Sequence, residues 1–275
     1  MERKEHLTYL DHLDLERIPR KKTRQVRVGG LPIGGDAPVV TQEMTSTRTS
    51  DIDATVGQIK MLEEDGCRLI RVAIPDEESA RAVPEIKKRV SIPLVGDIHF
   101  DYRLALIAIE NCIDKLRINP GNIGGKKKVA ALASAAGERG IPIRIGVNSG
   151  SLERGLLKKY GGVTPEAMME SALGEVRLLE QHGFYDIVVS LKSPNIRLTV
   201  EANCLFSLRR DYPLHIGITE SGLGEDGVVR SVVGLSILLL YGIGDTVRVS
   251  LTEEDRLVNF RLCRRVLEQL HIPYV

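Results

Sequence analysis

"PLVGDIHFDYRLALIAIENCIDKLRINPGNIG", residues 93–124, decides the fold. It opens on a β-rich run (93–100), continues with apolar residues at helical spacing (101–112) and returns to a β-rich run at 115–120. The gap between the two runs is too long for a hairpin, so the strands pair in parallel around a right-handed crossover. The same unit repeats to either side. β-rich runs fall at 37–45, 69–74, 142–148, 186–192, 213–220 and 245–251, and helical periodicity at 51–65, 76–89, 126–139, 164–182, 195–210, 225–240 and 253–270. Gly66, Gly140 and Gly183 each stand just past a helix, where a left-handed residue is wanted.

Eight strand-helix units are what closes a (β/α)8 barrel, an α/β TIM barrel of about 250 residues. An open doubly wound sheet is the competitor, but it carries a glycine fingerprint after its first strand, and "TQEMTSTRTS" (41–50) is not one. Ahead of the barrel, residues 1–35 read as a polar lead-in ending in "VRVGGLPIGG" (26–35), a small β-hairpin cap. Residues 36–275 form the barrel, and no linker rich in Pro, Ser or Gly interrupts them.

Strand residues two apart share a face. That period pairs Asp97 with His99, Arg117 with Asn119, Arg144 with Asn148, Ser190 with Lys192, and Arg248 with Ser250. Arg71 on the second barrel strand and Glu220 at the end of the seventh belong to the same rim, and Arg103 just beyond the third joins them. One inward arginine has an ordinary explanation, a buried ion pair. Cations on separate strands facing only Asp97 and Glu220 do not, because an unpaired ion in a semi-buried site costs several kcal/mol. The expected partner is an anion, a diphosphate or cyclic diphosphate, whose oxygens match the arginine fork. Asn119, Asn122, Asn148 and Ser250 would orient it without adding charge. "GLGEDG" (222–227), leading into a helix, adds a weak phosphate signal.

Composition narrows the class. With 43% hydrophobic and 27% charged residues and a formal net charge of +1, the chain reads as soluble and globular, and bulk charge implies no nucleic-acid partner. The apolar run "SVVGLSILLLYGIG" (231–244) falls short of the ~20 residues of a membrane span and is broken by glycines. The charged N-terminus is not a secretory signal, so a cytoplasmic location is expected. Cys67, Cys112, Cys204 and Cys263 are far apart, in helical or helix-end settings, with no CxxC pair. They read as buried, reduced thiols, with no metal ligand set and no cofactor bound by this chain alone.

"GDAPVVTQEMTSTRTSDIDATVGQI" (35–59), "DIHFDYRLAL" (97–106), "KLRINPGNIG" (115–124), "PIRIGVNSGSLE" (142–153), "PLHIGITESG" (213–222) and "GIGDTVRVSLT" (242–252) closely resemble the N-terminal barrel domain of the 4-hydroxy-3-methylbut-2-en-1-yl diphosphate synthase family. The resemblance runs from about Lys21 onward. It implies an oxidoreductase of the non-mevalonate isoprenoid pathway acting on 2-C-methyl-D-erythritol 2,4-cyclodiphosphate. Substrate contacts then fall on Arg71, Asp97, Arg117, Arg144, Asn148, Lys192, Glu220, Arg248 and Ser250. It further implies a homodimer, reduced ferredoxin or flavodoxin as electron donor, and a second domain with a 4Fe-4S cluster and the catalytic carboxylate. This sequence ends at "LEQLHIPYV" (267–275), where that domain would begin, so the barrel is expected to be inactive alone. The chain is then either shortened or partnered by the second domain as a separate polypeptide. Glu43 departs from the family pattern, which has a small residue there, and puts contacts from that first loop in doubt. Two other readings compete: a pterin-binding transferase similar to dihydropteroate synthase, and a non-catalytic diphosphate-binding barrel.

Overall fold

The computed structural model describes residues 18–99, 101–119, 124–252 and 255–275. Eight strands form one parallel sheet: β3 (Val40–Met44), β4 (Leu69–Ala73), β5 (Leu94–Asp97), β6 (Lys115–Ile118), β7 (Ile143–Asn148), β8 (Ile187–Lys192), β9 (His215–Ile216) and β10 (Thr246–Val247). Their order is β8-β7-β6-β5-β4-β3-β10-β9. A parallel bridge between Val189 and Leu214, with the Val189 amide donating to the Pro213 carbonyl over 2.9 Å, joins the two ends. The barrel expected from the sequence is therefore present.

Helices follow the strands: α1 (Ile52–Glu64), α2 (Glu77–Lys87), α3 (Tyr102–Glu110), α4 (Lys126–Glu138), α5 (Arg154–Tyr160), α6 (Pro165–Glu180), α7 (Ile196–Arg209), α8 (Gly224–Leu240) and α9 (Arg256–Gln269). Their starts are set by short polar side chains: Asp51, Asp76, Asp101, Thr164, Asn195 and Asp255 each accept a backbone N–H of the first turn. Gly66, Gly140 and Gly183 adopt φ of 98°, 62° and 71°, the left-handed turns that their positions implied. No helix among the described residues is long and apolar enough to cross a membrane.

Two details differ from the sequence reading. Residues 149–163 hold a 3-10 turn at Ser149–Ser151 and the short helix α5. The last two strands are far shorter than their apolar runs, because from Gly217 and Arg248 onward the backbone leaves the ladder to build the rim.

The lead-in hairpin is β1 (Val26–Val28) and β2 (Leu31–Ile33), turned by Gly29 and Gly30 at φ 53° and 88°, as a two-residue turn of positive φ demands. Its Val26, Val28 and Ile33 pack with Val40, Leu69, Val95 and Val188 in an apolar cluster separate from the main core. The hairpin thus closes the N-terminal end of the barrel, each buried aliphatic contributing about 1.5–3 kcal/mol. Asp97, Asn148 and Lys192 end their strands at the opposite face, the one where barrels of this type carry their sites.

Candidate functional site

Alternation sorts the strands into two faces. Leu116 and Ile118 of β6 join the core between sheet and helices, which sends Lys115 and Arg117 into the barrel. Ile70 and Val72 do the same for Arg71, Ile143 and Ile145 for Arg144, Val189 and Leu191 for Ser190 and Lys192, and Val247 and Val249 for Arg248. The inward arginines and Lys192 meet near the C-terminal rim. Lys192 lies within electrostatic reach of Arg144, Arg248, Arg71 and Arg117.

Asp97 is the hub. Its Oδ1 accepts from Arg117 Nη1 over 3.2 Å, and its Oδ2 lies 3.7 Å from Arg71 Nε. Burial alone would raise its pKa, but Arg71, the His99 hydrogen bond and Arg117 outweigh burial and hold the carboxyl well below the usual range. His99 sits at the rim, with Nε2 3.2 Å from Asp97 Oδ2 and 3.2 Å from Arg117 Nη1. Arg71 also donates from Nε to Met44 Sδ over 2.9 Å, and burial lowers its pKa to about 10.

Glu43, which departs from the family pattern, lies within the β-rich run expected at 37–45. It is the penultimate residue of β3, fully buried, and its Oε1 accepts from Arg248 Nε over 3.0 Å. The carboxylates expected to face the cations were Asp97 and Glu220. Glu43 adds a third, whereas Glu220 is exposed at the rim with φ 50°. The ordinary ion-pair explanation therefore holds in part: Asp97 serves Arg117 and Arg71, and Glu43 serves Arg248.

Arg144 and Lys192 have no salt bridge among the described residues. Burial, then the neighbouring cations, push both well below their ordinary pKa. Two glycines make room for these side chains. A Cβ on Gly146 would lie 2.5 Å from Arg117 Nε, and one on Gly217 would lie 2.8 Å from Lys192 Nζ.

The remaining predicted residues divide. Ser250 Oγ accepts from Arg248 Nη1 over 3.3 Å, and Asn148 ends β7 at the rim. Asn119 is buried just past β6. Ser190 turns its hydroxyl to the Ile145 carbonyl at 3.2 Å, within the sheet. Arg103 does not join the cluster: its exposed side chain lies 3.7 Å from Asp101, at the start of α3. Asn122 lies outside the described residues.

Sequence reasoning passed over Lys115, Gln42 and His215, all buried in the barrel below the arginines. Lys115 Nζ, Arg144 Nε and Nη1, the Gln42 amide and His215 Nε2 find no hydrogen-bond partner among the described residues. The period of two that selected Arg117 also selects Lys115, two residues earlier.

The cysteines do not fit a cluster. Cys67 and Cys263 are buried, and burial pushes both thiols up, Cys67 to about 12. Cys112 is exposed and Cys204 half-buried, so the expectation of four buried thiols holds for two. Cys204 and Cys263 lie in helices; Cys67 and Cys112 lie just past helix ends, Cys112 at φ 61°. No three His, Cys, Asp or Glu groups among the described residues gather as a metal site.

A cleft of about 420 Å³ opens beside Asp97 and His99, walled by Met44, Ala73, Ile74, Pro75 and Leu104 among others.

Comparison with known proteins agrees with the barrel fold. By fold, the chain is similar to type I 3-dehydroquinate dehydratase from Clostridium difficile, at a TM-score of 0.66 and 14% identity over 90% of this chain and 98% of that one. Dihydropteroate synthase from Yersinia pestis follows at 0.61 and 11%, over 89% and 98%. At such identities the likeness shows the barrel alone. By sequence, the chain is 58% identical over 251 residues to a protein of Caldanaerobacter subterraneus subsp. tengcongensis named 4-hydroxy-3-methylbut-2-en-1-yl diphosphate synthase (flavodoxin), covering 91% of this chain and 70% of that one. A protein of the same name from Geobacillus thermodenitrificans is 56% identical over 253 residues, covering 92% and 67%. The family described as GcpE TIM-barrel domain matches residues 23–261, nearly the whole span of hairpin and barrel, and the chain belongs to that family.

Proposed function

We propose that this barrel is the substrate-binding part of a 4-hydroxy-3-methylbut-2-en-1-yl diphosphate synthase, holding 2-C-methyl-D-erythritol 2,4-cyclodiphosphate at its C-terminal mouth for reductive ring opening. One observation carries the reading. Arg71, Arg117, Arg144, Lys192 and Arg248 converge there, with Lys115 beneath them, against two buried carboxylates, Asp97 and Glu43. A cyclic diphosphate supplies the missing negative charge, and its oxygens suit arginine forks. Asn148 and Ser250 at the rim are placed to orient it, and the apolar wall beside His99 suits its carbon skeleton.

This chain's residues bind and orient, and close packing of charge around the ring keeps the diphosphate fixed while the bond breaks. The two electrons consumed are assigned to no residue of this chain. The relatives' names point to flavodoxin as their source, and the family resemblance points to a 4Fe-4S domain between donor and substrate and to a homodimer. The barrel alone is then a binder without turnover. The test is to mix it with the part of the Caldanaerobacter relative that this chain does not cover, loaded with iron and sulfide, and to supply reduced flavodoxin. Product from the mixture and none from the barrel alone supports the reading. Turnover of the cyclic diphosphate by the barrel alone contradicts it.

A further inference from the structure

We infer that Glu43 is a positioning residue that acts on the diphosphate only through Arg248. The inference rests on the proposed role of Arg248 as a diphosphate contact.

The placement of Glu43 is unusual. Gln42 and Met44 pair in register with Leu69 and Arg71, which face into the barrel, so Glu43, level with Ile70, belongs to the opposite, helix-facing side. There it lies within electrostatic reach of the buried thiols of Cys67 and Cys263 and of Arg256, the first residue of α9. A carboxylate among apolar groups is costly unless paired. Glu43 is paired through one oxygen only: Oε1 accepts from the Met44 amide over 2.8 Å and from Arg248 Nε over 3.0 Å. Oε2 has no partner among the described residues.

That one-oxygen clamp decides what Arg248 can offer. Nε goes to Glu43 and Nη1 to Ser250 Oγ at 3.3 Å, while Nη2 has no protein acceptor among the described residues. Had Glu43 gripped Nε and Nη2 together, the outer edge of the fork would be consumed. Gripping Nε alone fixes the plane of the guanidinium and leaves an edge for a ligand oxygen. Removing Glu43 therefore frees a long side chain to turn about several bonds, and the mouth loses a pre-set contact.

The experiment is a double-mutant cycle read by calorimetric titration of the whole chain with inorganic pyrophosphate. Arg248→Ala and Glu43→Ala should each weaken binding about tenfold. Glu43→Ala added to Arg248→Ala should change affinity by less than about twofold. Glu43→Gln, whose amide oxygen can still accept from Arg248 Nε, should stay within about threefold of the unaltered protein. Glu43→Ser, too short to reach, replaces the alanine variant should that one fail to fold. Unchanged affinity in Glu43→Ala, an equal loss in the Arg248→Ala background, or a Glu43→Gln loss as large as that of Glu43→Ala would each overturn the inference alone. Unchanged affinity in Arg248→Ala would instead remove Arg248 from the diphosphate site, and the inference with it.

Discussion

Asp97 and Arg117 stand opposite each other in register on β5 and β6, and the guanidinium donates to the carboxylate over 3.2 Å. The pair is an internal counter-ion contact of the fold. Asp97 holds Arg117 and Arg71 in place, yet one carboxylate cannot neutralise two guanidinium groups. That residual charge is what the proposed diphosphate would meet.

Asp97→Asn should cost about 3–5 kcal/mol of stability at neutral pH, because it strands the buried Arg117 and the largely buried Arg71. Asp97 is held below its ordinary value of 3.8, so its contribution is fully present above that value and is lost as pH falls through the lower folded value. Urea unfolding at several pH values reads this directly. The gap between the two proteins should be constant from about pH 5 to 8 and should close in acid. A gap that persists unchanged at about pH 2 would argue against it.

Lys192→Met should raise stability by about 1–4 kcal/mol while weakening diphosphate binding, because the ammonium is buried among cations with no carboxylate of its own. Its folded pKa lies well below 10.5, so between the two values the unfolded chain binds the extra proton and the unaltered protein gains stability as pH rises. The advantage of the methionine variant should therefore shrink toward pH 10.5. Thermal melts with and without pyrophosphate measure both halves. A destabilised variant with unimpaired binding would contradict the assignment.

Much of this site was legible in the sequence, for a definite reason. On a parallel strand covered by helices, a polar residue between apolar ones can only face the barrel, so Arg117, Arg144 and Lys192 announced themselves. The rule fails where the chain leaves the ladder: Arg103 sits in a helix start and Glu220 on a left-handed turn at the rim. It also fails for Glu43, a carboxylate on the helix-facing side whose partner, Arg248, lies 205 positions away in the chain. Pairing across that distance comes from barrel closure, which no local pattern encodes. Lys115 obeys the same period of two as Arg117, one layer further from the rim.

Gly146→Ala should leave the fold intact and weaken pyrophosphate binding about tenfold or more. The added Cβ would lie 2.5 Å from Arg117 Nε and 2.7 Å from Nη2, and the far end of a flexible side chain yields before the strand does. The expected loss is that of one hydrogen bond to a charged group, about 1.5–3 kcal/mol. Circular dichroism confirms the fold and titration reads the affinity; equal affinity in the two proteins would show that Arg117 does not touch the ligand.

The most direct test of a mouth built for a cyclic diphosphate is calorimetric titration of this chain with 2-C-methyl-D-erythritol 2,4-cyclodiphosphate, beside a dihydropterin diphosphate as control. One site per chain is expected for the cyclic diphosphate, weakened about tenfold or more by Arg117→Ala or Arg144→Ala, with the pterin ligand far weaker. Tighter binding of the pterin diphosphate, or cyclic diphosphate binding that ignores both arginine substitutions, would contradict it.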